Sequence, residues 1–253
     1  MLSVAVGACM LAIGARAVLA DEPTIAPQQS SEPTPATAPA PSAPAPADPP
    51  AAPAVPSADA TTATLRGIAK VPEPRAPAKS KSDYDAPVET TLPDAPVAAI
   101  WVGSGAKPLD PATTAPVQIR QEGIQFRPGT LVVQTGTPVI FPNHDQVLHA
   151  VRSQSAAKKF NVGRFMKGED PPAVVFDKPG YVFLLCEVHE HMQGHLLVVD
   201  TPYSTTSDAK GSFEIKAIPP GTYTVTIWRG RKDQETREVT LGAGQVLEVD
   251  WSK

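Results

Sequence analysis

The chain has 253 residues, a formal charge of −4, 30 prolines and two cysteines. It shows neither a basic excess nor a basic stripe, which argues against nucleic acid as a partner. Two cysteines cannot make a disulfide-stapled miniprotein, so any folded part must rely on a packed core.

Residues 1–20, MLSVAVGACMLAIGARAVLA, are apolar and end in a small residue before Asp21. They read as a signal peptide, which makes the protein exported and periplasmic. Two alternatives stay open: an uncleaved membrane anchor, the one case in which a membrane is a partner, and a lipid on Cys9. Cleavage would leave Cys186 as the single cysteine of an exported chain. Such a residue is inert and buried, reactive, or bound to metal.

Residues 21–62 are a Pro/Ala-rich linker that cannot bury a core and favours extended conformations. Residues 63–116 form an irregular segment with two strands, expected at Leu65–Val71 and Pro96–Val102. From Val117 the pattern becomes β throughout. Short apolar runs at Gln118–Phe126, Leu131–Gln134, Pro138–Phe141, Tyr181–Cys186 and His195–Val199 are punctuated by Gly and Pro, as in a β-sandwich. A single helical turn is the most that Ala156–Phe160 offers. Residues 201–253 repeat the β pattern through Ser212–Ala217, Thr222–Trp228 and Gln245–Trp251. Neither this tail nor the two early strands can bury a core alone. They are therefore expected to pair, with the intervening domain inserted between them. The predicted fold class is all-β.

The chemistry sits in Cys186-Glu-Val-His189-Glu-His-Met192. Alternation along Tyr181–Cys186 puts Cys186 on the inward face with Val182 and Leu184. His189 and Met192 follow in one short loop, and His149 comes from a second loop after Phe141. Two His, one Cys and a weak Met are the ligand set of a single type 1 copper ion, with Met192 long and axial. His144 reads as a solvated loop residue. His191 reads as a rim residue with an option to compete as a ligand, and His195, which opens a strand, as a surface or partly packed residue. Met166 reads as a packing residue, and Glu187 and Glu190 as exposed charges. Residue 185 is Leu, so the His beside the Cys that wires a second copper centre is missing. A dinuclear copper-A centre needs a second cysteine in the loop. A Cys/His hydrolase finds no third group or oxyanion donor.

The stretches VVQTGTPVIFPNHDQVLH, FDKPGYVFLLCEVHEHM and HLLVVD resemble the cupredoxins, in the short-loop, amicyanin-like and plastocyanin-like form. The family pattern is an Asn, a His six residues on, then C-x-x-H-x-x-M. Asn143, His149, Cys186, His189 and Met192 match it. The longer run from Gly163 to Trp228 resembles periplasmic proteins of the methylamine-utilisation type. Residues 201–253 resemble a carboxypeptidase regulatory-like, prealbumin-type β segment. The resemblance implies a Greek-key cupredoxin domain at 117–200. It also implies one copper ion held by His149, Cys186, His189 and Met192, with Asn143 and His191 as supporting residues. Electrons would enter or leave at an exposed edge of His189 and pass to transient redox partner proteins. No catalytic residue and no enzyme activity are expected. One position departs from the pattern: the Asn that follows the first His and ties the two ligand loops together is here Ala150. Two other readings stay open. One is copper binding or buffering without electron transfer. The other is a structural envelope module in which metal is dispensable.

Overall fold

The computed structural model describes residues 61–74, 92–103, 109–169 and 171–253. The signal segment 1–20, Cys9 and the linker up to residue 60 lie outside the described residues. Among the described residues every regular element is a strand and none is a helix. The described part of the chain is all-β, as its patterning predicts.

Two strands come first, β1 (Ala63–Ala69) and β2 (Ala99–Val102). Ten follow: β3 (Val117–Gln118), β4 (Arg120–Gln121), β5 (Phe126–Arg127), β6 (Thr130–Gln134), β7 (Pro138–Ile140), β8 (His149–Gln154), β9 (Lys159–Phe165), β10 (Val174–Val175), β11 (Gly180–Cys186) and β12 (Gln193–Val199). The last five are β13 (Ser204–Thr206), β14 (Ser212–Ile218), β15 (Gly221–Gly230), β16 (Asp233–Leu241) and β17 (Val246–Trp251).

The middle section makes two facing sheets, ordered β6-β12-β11-β8-β9 and β10-β7-β3. Period-2 alternation decides which side chains lie between them. On β11, Val182, Leu184 and Cys186 point inward and are buried, while Tyr181, Phe183 and Leu185 are partly exposed. They meet Val139, Phe141, Ile119 and Phe176 from the opposite side in one core. Burying each such large side chain contributes about 1.5–3 kcal/mol.

Two expectations fail here. Ala156–Phe160 makes no helical turn; the chain leaves β8 after Gln154, bends at Ala156–Ala157 and returns as β9, paired in antiparallel with β8. β9 is an edge strand whose Lys159, Asn161 and Arg164 stay largely in solvent, so its alternation is faint. His149 is not a loop residue but the first residue of β8.

The early strands and the tail form a second pair of sheets, β14-β1-β17 and β13-β2-β15-β16. β1 runs antiparallel to β14 and parallel to β17. β2 lies between β13 and β15. Leu65, Ile100 and Val102 are buried with Phe213, Ile215, Val225, Ile227 and Trp251. Both the early strands and the tail contribute side chains to this one core. Gly67 on β1 shows how close the strands come: a Cβ there would lie 2.0 Å from the carbonyl oxygen of Val249. Ala99, Leu197 and Trp228 form a small buried cluster that joins the two sandwiches.

Candidate metal centre

Strand pairing brings the predicted donors together. β8 and β11 are antiparallel neighbours with Val151 opposite Cys186. His149, two residues from Val151, therefore shares the inward face with Cys186. The chain then turns between β11 and β12. The Met192 amide donates to the His189 carbonyl (2.9 Å), and the Cys186 amide donates to the Met192 carbonyl (3.2 Å). This tight loop turns His189 back toward the strand end.

The result is a triangle of donor atoms. Cys186 Sγ lies 3.8 Å from His149 Nδ1 and 3.8 Å from His189 Nδ1. The two Nδ1 atoms are 3.1 Å apart. The point equidistant from the three corners is about 2.1 Å from each, close to metal–imidazole bonds of about 2.0–2.1 Å and metal–thiolate bonds of about 2.3 Å. One ion therefore fits. His149, His189 and Met192 are completely buried, and Cys186 is 5% exposed. Met192 lies in the same core cluster as Cys186.

Sequence reasoning missed Asp145, which organises the site. Its buried carboxylate accepts from His149 Nε2 (2.9 Å) and from the amides of Gly123 (2.7 Å) and Ile124 (2.9 Å). With Nε2–H donated to Asp145, the Nδ1 lone pair of His149 is left for a metal. The signal was present as an acid four residues before a predicted ligand, in Asn143-His-Asp-Gln-Val-Leu-His149. The same carboxylate holds a strained turn, since Gly123 has φ 64 and Ile124 has φ 56. Positive φ is unfavourable for a β-branched residue.

Asn143 is buried one step further out. Its Nδ2 donates to the carbonyls of Val147 (2.9 Å) and Phe165 (3.1 Å), and its Oδ1 accepts from the Asp145 amide (2.9 Å). It braces the Asp145 turn and touches no donor atom. The Asn-to-Ala departure at 150 does not disconnect the two donor segments, because β8 and β11 pair directly there, with Val151 opposite Cys186 and Arg152 opposite Leu185.

The electrostatics suit a thiolate. Burial alone would push the Cys186 thiol up. Hydrogen bonds from His149, His189 and the Ala150 and His189 backbone outweigh it and bring the thiol down to about 5. Burial likewise opposes charge on His149, yet its hydrogen bonds to Asp145 and Cys186 raise its pKa. For Asp145 burial is overcome by His149 and the two amides, and its pKa is lowered. A cation belongs between the sulfur and His149. A proton suits that place, and so does a metal ion in its stead.

The remaining residues sort as follows. His144 is exposed, as expected. His191 stands outside the donor triangle, its ring 6.3 Å from that of His189. His195 is half-buried in an aromatic cluster with Tyr181, Phe183 and Trp228. Glu187 is exposed and pairs with Arg152, and Glu190 is exposed. Two expectations are corrected. Met166 is 40% exposed rather than packed, because it follows the last paired residue of edge strand β9. His189 has no exposed edge, since the loop folds its ring into the protein.

The family model of the carboxypeptidase regulatory-like domain matches residues 192–252. That span takes in β12 of the five-stranded sheet and omits β1 and β2. Among solved structures the chain is similar to a copper-containing nitrite reductase from Thermus scotoductus SA-01, at 28% identity over 39% of this chain and TM-score 0.32. The chain spans 25% of that protein's length. It is also similar to a copper(I) form of an amicyanin variant, at 18% identity over 39% of this chain and 97% of that one, TM-score 0.31. A second, reduced amicyanin variant matches at 19% identity with the same coverage and TM-score 0.31. No curated protein matches. The reading of the site rests on its own geometry.

Proposed function

We propose that this protein is a periplasmic type 1 copper protein that carries single electrons between transient redox partners. In this reading residues 117–200 are a cupredoxin domain of the methylamine-utilisation type, inserted into the regulatory-like sandwich. His149, Cys186 and His189 would hold one copper ion, with the thioether of Met192 as a further candidate ligand. Bound copper would supply a reversible Cu(II)/Cu(I) couple, and the protein would convert no substrate of its own.

The observation that carries this reading is the buried Nδ1–Nδ1–Sγ triangle. Its members come from β8, β11 and one short loop, so the backbone pairing fixes their separation. Asp145 sets the tautomer of His149. Cys186 belongs to the same apolar core as Phe141, Phe165 and Val151 and is only 5% exposed, which keeps water from the sulfur. A donor set held this rigidly accommodates both oxidation states with little rearrangement, as fast electron transfer requires. Its burial favours electron transfer over copper delivery, because handing over an ion needs accessible donors.

The test is the visible spectrum and voltammetry of the purified protein after Cu(II) addition. An intense thiolate-to-copper band, a reversible one-electron wave and loss of both in Cys186→Ser are expected. Tight copper binding without either signature would favour buffering. A colourless, copper-free protein with full biological activity would favour the structural envelope module.

A further inference from the structure

If electrons reach the site, they need a way through its wall. His149, His189 and Met192 are completely buried and Cys186 is 5% exposed. The outer nitrogen of His149 is capped by Asp145. The aromatic cluster of Tyr181, Phe183 and His195 lies on the face of β11 opposite Cys186, with the strand between them. Among the described residues, the half-buried His191, whose two ring nitrogens are themselves buried, packs its ring against a ligand ring. His191 meets His189 edge-on at 64°, with centroids 6.3 Å apart. His191 also lines a groove of about 1120 Å³ between the two sandwiches, together with Phe183, His195, Trp228 and Arg231.

We propose that His191, and not the edge of His189, is the residue through which electrons enter and leave. This rests on the copper reading above and names the port of that same site. Tunnelling weakens exponentially with the through-space gap. A ring packed between His189 and the groove shortens that gap without being oxidised itself. In the outward direction one electron leaves the reduced centre and reduces one equivalent of acceptor, and no bond or proton changes hands. His191 acts through His189 and stays outside the donor triangle, so it governs the rate and leaves the ligand field untouched.

The experiment is stopped-flow oxidation of the copper(I)-loaded full chain by ferricyanide, with the visible spectrum and reduction potential measured on each variant. His191→Ala is expected to keep the wild-type spectrum and potential and to slow oxidation about tenfold, equivalent to a barrier increase of about 1.4 kcal/mol. His191→Phe restores a ring and should recover most of the rate. Met166→Gln, which alters an exposed apolar residue at the end of β9, should leave the rate unchanged. If His191→Ala does not fold, His191→Leu keeps the volume without the ring and carries the same expectation. A wild-type rate in the Ala or Leu variant overturns the proposal, as does equal slowing in Ala and Phe. A shifted spectrum or potential also overturns it, because His191 would then act on the ligands. Absence of a reversible wave in the wild type would instead reject the copper reading, and this inference with it.

Discussion

Replacing Asp145 by Ala removes the acceptor for three buried donors: His149 Nε2 and the amides of Gly123 and Ile124. A buried donor left without a partner costs about 1–3 kcal/mol. The three share one carboxylate and relax together, so we expect a combined loss of about 3–5 kcal/mol rather than the sum of three maxima. Ile124, at φ 56, also loses the bond that holds its unfavourable backbone. Against a total stability of about 5–15 kcal/mol the loss is severe. Urea unfolding of the metal-free protein, followed by far-ultraviolet circular dichroism, measures it. Asp145→Asn keeps one acceptor oxygen and should lose less. Copper affinity should fall about 10–100-fold in the Asn variant, because the tautomer of His149 is no longer enforced. A loss below about 1 kcal/mol in Asp145→Ala would refute the role assigned to this carboxylate.

The Cys186 thiol, held at about 5 in the folded state, lies below its unfolded value of about 8.5. Its contribution to metal-free stability is therefore complete above the unfolded value, shrinks as pH falls between the two, and is gone below the folded value. Ultraviolet thiolate absorption of the metal-free protein should titrate near pH 5 and shift to the ordinary thiol range in urea; an ordinary value in the folded protein would remove the electrostatic argument. Gly67→Ala would drive a Cβ into the Val249 carbonyl and should destabilise by about 3 kcal/mol, the upper end of overpacking effects, read by thermal unfolding. A chain beginning at residue 109 lacks β1 and β2 and leaves Phe213, Ile215, Val225 and Ile227 without their partners. Limited proteolysis should digest residues 201–253 of that chain and spare them in the full-length protein, and equal protection would contradict the shared core.

The candidate donor cluster was legible because a hairpin loop encodes its own geometry. Cys186, His189 and Met192 lie within seven residues, and the strand before them alternates cleanly. Distant pairing was legible only as a deficit. Leu65 and Ile100 sit in stretches too small to fold alone, which implies a partner without naming its register. The polar edge strands β9 and β16 were missed because hydrogen bonding to one neighbour shapes them, and no apolar run announces them. Asp145 was missed for a related reason. A buried acid looks like any loop acid until the chain is folded around it. The burial of His189 was beyond the sequence, since loop direction depends on the Met192–His189 and Cys186–Met192 backbone bonds.

X-ray absorption at the copper edge of the Cu(II)-loaded protein tests the central claim most directly. The account predicts one sulfur at a short bonding distance and two imidazole nitrogens in the same shell, with the sulfur lost in Cys186→Ser. A shell of nitrogen and oxygen alone, unchanged by that substitution, would contradict it.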